Sequence, residues 1–346
     1  MKTVEDIDLI NKRVLIRADF NLPIKDGQIT DDFRLKASCP TIKFCLEKKA
    51  KIVLISHLDQ PGGKVDPAYS LKPVAERLSE LLEKPVRMIE DCLGEKVKEE
   101  VAKMEPGEIF LLENLRFYPE EEANDSAFAQ KLASLAEIYI NDAFGSSHRA
   151  HASIVELAEH LPAVAGLLLK KEVEILSKSL ESPAQPALAI IGGAKIKVKL
   201  PVIESLSKKY DQVLVGGKIA NEIVDNQLSV SRNVKLPLDY VFEGEKKLDI
   251  GAKTSKEYTQ VISQAKTIIW NGPMGVFEKE RFVKGTEDIA RAVVQSSAYT
   301  VIGGGETIAA LNKFGLLEKI DHVSTGGGAM LEFLAGQELP GLKALE

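Results

Sequence analysis

Several arginines, histidines and an asparagine stand directly behind short apolar runs, where a strand would hand them to a ligand. Asp19 and Asn21 follow the run Arg13–Asp19, His57 follows Lys51–Ser56, Arg116 follows Glu108–Leu112, and His148 with Arg149 follow Glu137–Asn141. Arg34 comes shortly after the first of these, in Thr30-Asp31-Asp32-Phe33-Arg34. Ligands of open α/β sheets sit at the carboxyl ends of the strands. Arginine suits a phosphate or carboxylate there because its planar fork makes two parallel bonds. One such arginine reads as a solvated surface residue; carried by four loops at one end of a sheet, the set points to a pocket for a small, multiply anionic molecule. His151 and His160 read as structural or solvated.

The second half delivers glycine at the corresponding places. Its loops read Gly192-Gly193-Ala194-Lys195, Gly216-Gly217, Asn271-Gly272-Pro273-Met274-Gly275, Gly303-Gly304-Gly305-Glu306-Thr307 and Gly326-Gly327-Gly328. Glycine lets the backbone approach a ligand closely, and the N-terminus of a following helix points free N–H groups at an anion. A nucleotide phosphate chain needs such turns. Gly216-Gly217 alone reads as a tight connection; five such turns exceed what connection geometry requires. Lys195 and Lys199 fall i, i+4 on one helix face and could neutralise a phosphate, or with Lys197 form a solvated basic face. Glu306 could hold Mg²⁺ together with phosphate oxygens, or be an acidic residue favoured at a helix start.

These residues need a scaffold, and the pattern supplies one. Further candidate strands are Ala187–Ile191, Gln212–Val215, Thr267–Trp270 and Tyr299–Ile302. Near-continuous apolar runs of this length suit parallel strands covered on both faces. Helical periodicity lies between them, at 71–82, 128–136, 197–208, 286–294 and 306–312. The alternation occurs twice and predicts an α/β protein of two Rossmann-like lobes, each a doubly wound parallel sheet. An amphipathic helix from Lys170, followed by Pro183 and Pro186, marks the join. The expected division is 1–169, a helix and linker 170–186, a second lobe 187–330, and a C-terminal segment 331–346.

Composition bounds the remaining classes. The 346 residues are 45% hydrophobic and 28% charged, ordinary for a globular chain, and suggest about two domains. A net charge of −6 argues against nucleic acid or a membrane surface as partner, so an anionic ligand must be met by local positive charge. Cys39, Cys45 and Cys92 form no CxxC pair, which reads as a reducing compartment without zinc or a disulfide framework. The acidic N-terminus and the short apolar run 163–169 predict a cytoplasmic protein without signal or membrane span. The P-loop, G-x-G-x-x-G, H-E-x-x-H and G-x-S-x-G patterns are absent, and His148-Arg149-Ala150 lacks the aspartate of a protein-kinase loop.

The motifs taken together resemble the phosphoglycerate kinase family along nearly the whole chain. They include Arg17-Ala18-Asp19-Phe20-Asn21, Leu112-Glu113-Asn114-Leu115-Arg116-Phe117, Asn141-Asp142-Ala143-Phe144-Gly145, His148-Arg149-Ala150-His151-Ala152-Ser153, and Trp270-Asn271-Gly272-Pro273-Met274-Gly275-Val276-Phe277-Glu278. The resemblance implies reversible transfer of a phosphoryl group between 1,3-bisphosphoglycerate and ADP, giving 3-phosphoglycerate and ATP with Mg²⁺, by a monomer. It implies that Asp19, Asn21, His57, Arg34, Arg116 and Arg149 hold the glycerate ligand. Gly193, Ala194, Lys195, Lys199, Gly217, Asn271, Glu278, Gly304, Gly305, Glu306 and Thr307 would hold the nucleotide, with Glu306 toward the metal. Arg34, Lys195, Lys199, Gly304 and Gly327 would serve the transfer itself. With the two ligands on separate lobes, the lobes must close for the reaction.

Three departures from the family pattern stand out. Ser-His-Leu-Gly-Arg-Pro reads Ser56-His57-Leu58-Asp59-Gln60-Pro61, which removes an arginine from the acceptor side; Lys64 could replace it. Gly-Gly-Gly-Asp reads Gly303-Gly304-Gly305-Glu306, and an aspartate between the two lysines is missing at Lys197-Val198. The chain is also short between Gly217 and Pro237, where the base would lie. Two alternatives follow: the same fold phosphorylating another small carboxylic acid, or a catalytically weakened nucleotide-binding relative.

Overall fold

The computed structural model describes residues Met1–Glu346, which divide into two compact units: 1–173 with 338–346, and 174–337. In the first unit, apolar runs bounded by turns form a six-stranded parallel sheet of β1 (Arg13–Arg17), β2 (Lys51–Ile55), β3 (Val86–Ile89), β4 (Ile109–Leu112), β5 (Ile138–Asn141) and β6 (Ala163–Ala165), ordered β3-β4-β2-β1-β5-β6. Alternate residues of each strand point to opposite faces. Val14, Ile16, Ile52 and Leu54 meet Leu35, Ile42, Val74 and Leu78 on one side. Leu15, Val53, Phe110 and Tyr139 meet Val97, Phe128 and Leu132 on the other. The chain winds away from β1 in both directions, so the switch point lies between β1 and β5, where Arg17 is level with Asn141.

The second unit holds β7 (Ala187–Ile191), β8 (Gln212–Val215), β9 (Val234–Lys235), β10 (Thr267–Asn271), β11 (Tyr299–Gly303) and β12 (His322–Val323), all parallel and ordered β9-β8-β7-β10-β11-β12. This is the doubly wound order, and its switch point lies between β7 and β10, where Ile191 pairs with Asn271. Trp270, Ile190, Ile268 and Ile302 anchor one face of its core. An antiparallel hairpin, Tyr240–Glu243 with Lys246–Ile250, stands apart from this sheet.

The helices that matter for the site are α1 (Phe33–Glu47), α2 (Leu167–Glu181), α3 (Ile196–Ser207), α4 (Gly217–Asp225), α5 (Gly305–Lys313) and α6 (Gly327–Leu334). The division between the units falls inside α2, after Val173.

The structure differs from the sequence reading in several places. The first strand stops at Arg17, leaving Asp19 in the loop, and Asn271 ends β10 rather than starting a loop. Arg34 lies in the first turn of α1, a helix hidden from periodicity by Pro40 in its interior and by weak segregation of its apolar residues. The run 163–169 splits into β6 and the start of α2. The boundary expected at residue 330 cuts through α6, whose buried Met330, Leu331 and Leu334 keep it whole; the second unit continues to Gln337. From Glu338 the chain belongs to the first unit. Leu339 and Leu345 are buried there, and Gly341 donates its N–H to the Ser147 carbonyl at 2.9 Å. Gly341 admits no side chain: a Cβ would lie 2.9 Å from the Ser147 Cα.

Candidate active site

At the β1 end of the first unit, Asp19 is buried and accepts hydrogen bonds from Arg34 Nη1 at 3.0 Å and Ser146 Oγ at 3.2 Å. Burial alone would push its carboxyl up, but the Arg34 and Arg17 guanidinium groups outweigh this and hold it well below the usual carboxylate range. Arg34 Nη1 also donates to the Asn21 carbonyl at 2.8 Å. The Asn21 amide oxygen accepts from the Asp59 N–H at 3.0 Å, and the Asp59 carbonyl accepts from Arg116 Nη1 at 2.7 Å. Asp19, Asn21, Arg34 and Arg116 are therefore joined through one loop.

Arg116 is 3% exposed, although it is a full cation. Its Nε lies 3.1 Å from Glu122 Oε1 but off the hydrogen-bonding axis. Burial and the nearby Arg149 and Arg17 charges lower its pKa against the opposing pull of the Glu122 and Glu121 carboxylates, so an anion arriving here is favoured by the clustered guanidinium groups. Arg149 is half-buried, with Nε 3.4 Å from His148 Nε2. His57 is buried, and burial with the surrounding guanidinium charges keeps it neutral. Gln60 and Lys64 are exposed. Asp59 takes a left-handed conformation, φ 54°, rare for a residue with a side chain.

In the second unit the turn after β7 carries Gly193 at φ +82° and leads through Ala194 and Lys195 into α3. Lys195 is exposed. Lys199 is not part of a solvated basic face: it is 6% exposed, and its Nζ donates to the Gly192 carbonyl at 2.6 Å and reaches the Asn271 carbonyl at 3.3 Å, at the ends of the two strands flanking the switch point. Burial pulls its pKa down to about 8, against the opposing pull of the Glu306 carboxylate. Asn271 is buried with no partner for its amide nitrogen. Buried Thr307 accepts from the Gly272 N–H at 2.7 Å.

Several glycines here are required by space or by a left-handed φ. At Gly217, φ +62°, a Cβ would lie 2.6 Å from the Gly193 nitrogen. At Gly304, φ +96°, it would lie 3.0 Å from Asn271 Nδ2, and at Gly327 it would lie 2.8 Å from the Gly304 Cα. Gly305 has an ordinary φ and open space around it.

A cleft of about 700 Å³, within the range of small-molecule sites, runs from these turns to the hairpin. Gly193, Ala194, Gly217, Glu278 and Glu306 line it, as do Asn221, Tyr240, Leu248, Ile250 and Val276. None of the last five was given a role from the sequence: Asn221 lies in the shortened segment and Tyr240, Leu248 and Ile250 in the hairpin, where no strand-end signal exists, and Val276 stands in a quoted motif but has no polar group to mark it. Lys195, Lys199, Asn271, Gly304, Gly305, Thr307 and Gly327 do not line it; hydrogen bonds tie Lys199, Asn271 and Thr307 to the adjoining turns. The sequence reading also missed Arg17, Glu121 and Ser153, all wholly buried in the first unit. An arginine closing an apolar strand, Arg13-Val14-Leu15-Ile16-Arg17, was the available signal.

The phosphoglycerate kinase family model matches residues 4–236 and 222–337. The chain belongs to the phosphoglycerate kinase family. It is 46% identical to a phosphoglycerate kinase of Pelotomaculum thermopropionicum, covering 99% of this chain and 98% of the relative, and 46% identical to that of Borrelia turicatae, covering 100% and 99%. Among solved structures, phosphoglycerate kinase from Pyrococcus horikoshii OT3 matches with TM-score 0.89 at 34% identity, covering 100% of this chain and 98% of the other. That from Coxiella burnetii matches with TM-score 0.85 at 39% identity, covering 99% and 98%. The Pelotomaculum alignment runs over 387 positions although this chain has 346 residues, so the family member here lacks a segment that its relative carries. The two matched stretches overlap at 222–236, just before the hairpin whose residues line the cleft.

Proposed function

We propose that this enzyme transfers a phosphoryl group reversibly between the acyl phosphate of 1,3-bisphosphoglycerate and ADP, giving 3-phosphoglycerate and ATP, as a cytoplasmic monomer in glycolysis and its reverse. The observation that carries the reading is Lys199. A buried ammonium bonded only to carbonyl oxygens, at a switch point ringed by glycine turns, is built to receive an anion.

The roles follow from the chemistry. The attacking atom is an ADP phosphate oxygen in one direction and a carboxylate oxygen in the other. Both are ionised at neutral pH, so no side chain has to remove a proton. The new P–O bond forms as the opposite P–O bond breaks, and the leaving oxygen keeps the electron pair. What remains is to position the reactants and neutralise charge. Asp19, Asn21, His57, Arg116 and Arg149 hold the glycerate ligand; Arg34, Lys195 and Lys199 neutralise the group in transfer. N–H groups of the turns at Gly304, Gly305 and Gly327, with Asn271 and Thr307, hold the phosphate chain, while the Gly193 N–H is taken by the Pro273 carbonyl at 2.8 Å and Gly193 serves by letting the turn come close. Ala194, Gly217 and the Glu278 carboxylate border the nucleoside.

Glu306 fits an Mg²⁺ that arrives on the nucleotide: it is an exposed carboxylate on the first turn of α5 and lines the cleft. Mg²⁺ on phosphates takes one or two protein carboxylates and keeps several waters. When bound it supplies neutralisation of phosphate charge.

The test is a coupled assay of ATP consumption with 3-phosphoglycerate against a panel of other hydroxy acids. Turnover confined to 3-phosphoglycerate is expected. Turnover with a different acid, or none with any, overturns the reading.

A further inference from the structure

His57 has a partner set that fixes more than its position. Arg17, at the end of β1, is wholly buried and brings Nη2 to 3.1 Å from His57 Nδ1. A guanidinium only donates, so Nδ1 must accept, and the ring proton must sit on Nε2. Protonating Nδ1 would set an N–H against a cation. Arg17 is itself held: Nε donates to Ser153 Oγ at 2.7 Å, and Nη1 donates to the Ala18 carbonyl. The Ser153 hydroxyl passes its proton toward Glu121 Oε1 at 2.6 Å, and the Ser153 N–H donates to Glu121 Oε2 at 2.9 Å. Glu121 Oε1 lies 3.9 Å from Arg17 Nη2, with both side chains wholly buried. Tyr139 clamps the Ser153 carbonyl with its hydroxyl at 2.7 Å.

We propose that Glu121, Ser153 and Arg17 form a buried positioning relay that holds His57 as a neutral donor, its Nε2–H presented to an oxygen of the acceptor ligand. The direction of donation is dictated at every link. The Glu121 carboxylate can only accept, the Ser153 hydroxyl donates to it and accepts from Arg17, and Arg17 donates to His57. Removing one buried partner leaves the others with unmatched charge, which is why the whole relay is needed. The charged groups facing His57 agree: Arg17, Arg116 and Arg34 disfavour an imidazolium, and Asp19 alone favours it. Such a histidine gives the rim one donor without a further charge, and that donor does not vary across the working pH range.

The inference rests on the acceptor assignment of His57, and two readouts separate the two. In the ¹⁵N-labelled full chain, with the His57 signals identified from their loss in His57→Gln, long-range ¹H–¹⁵N spectra report which ring nitrogen carries the proton. The expected result is Nε2–H, unchanged from about pH 5.5 to pH 8, a span that brackets an ordinary histidine. An Nδ1–H tautomer, or a titration of His57 within that span, overturns the relay. Addition of 3-phosphoglycerate should then shift the Nε2 signal. A correct tautomer with no shift leaves the relay supported and overturns the acceptor assignment.

Ser153→Ala is the gentler perturbation. It should raise the KM for 3-phosphoglycerate roughly tenfold, one lost charge-assisted bond's worth, leave kcat within about twofold, and make His57 titrate. Ser153→Thr keeps the hydroxyl and should restore the neutral tautomer. Equal effects of alanine and threonine on both readouts contradict the relay.

Discussion

At the scale of single residues, two groups carry most of the chemistry, and each makes a measurable commitment. Arg34 is fixed by Asp19 and the Asn21 carbonyl, which aims a planar fork at the acceptor side. Arg34→Lys keeps the charge opposite Asp19 and loses the fork. We expect kcat/KM to fall roughly 10²-fold, the scale of one transition-state donor, with the melting temperature nearly unchanged; wild-type turnover would remove Arg34 from the transfer. Lys199 gives a pH dependence. Its pKa in the free protein is about 8, below the ordinary lysine value, because of burial. The ammonium is present below that value and lost as pH rises through it, so ADP affinity measured calorimetrically should weaken above pH 8. Lys199→Met should bind more weakly and lose that dependence.

The arginines and the two lysines could be named as candidates from the sequence because most of them come within a few residues of an apolar strand. Arg17 was not: an internal ion partner looks the same in sequence as a strand-edge arginine, and only the packing of Glu121 and Ser153 around it shows the difference.

At the scale of elements, the glycine turns separate folding from function. Gly217→Ala must force a Cβ against the Gly193 backbone at a left-handed φ, and should destabilise the second unit measurably. Gly305→Ala meets no atom and no strained φ, so its melting temperature should match wild type. If the α5 N-terminus faces phosphate, the same methyl should nevertheless weaken nucleotide binding. Unchanged ADP affinity in Gly305→Ala would remove that turn from the site.

The start of α2 offers a second test. Asp142 Oδ1 accepts from Leu168 and Leu169 N–H at 3.0 and 3.2 Å, while Oδ2 has no partner. Burial raises its carboxyl to about 6, above the unfolded value. The stability this group contributes is full below pH 4 and is lost as pH rises through 6. Asp142→Asn keeps the cap and removes the buried charge, so it should melt higher than wild type at pH 8 by a few degrees, about 2–4 °C per kcal/mol. The difference should shrink toward pH 5.

Inner strands such as Ala187–Ile191 and Gln212–Val215 were read to the residue, because burial on both faces leaves a nearly unbroken apolar run. Edge strands of two residues, such as Val234–Lys235 and His322–Val323, are too short for any period to register. Pro40 concealed α1 in the same way that Pro183 and Pro186 exposed the join: a proline is an honest stop signal only where tertiary packing does not override it.

At the scale of the whole molecule, the chain pairs one unit whose strand ends carry guanidinium groups with one whose strand ends carry bare peptide. Net charge gave no hint of this, since a −6 total conceals a locally basic rim. Hairpin residues Tyr240, Leu248 and Ile250 line the cleft, and that was not read from the sequence because apolar side chains there carry no strand-end signal. In the proposed transfer, charge neutralisation and placement suffice, with no side chain taking the phosphoryl group covalently. The direct test is the stereochemistry at phosphorus when ATP made chiral at its γ-phosphoryl group by oxygen isotopes reacts with 3-phosphoglycerate on this enzyme. A single direct transfer gives inversion, which is the expected result; retention would mean two transfers through a phosphorylated side chain and would contradict the account.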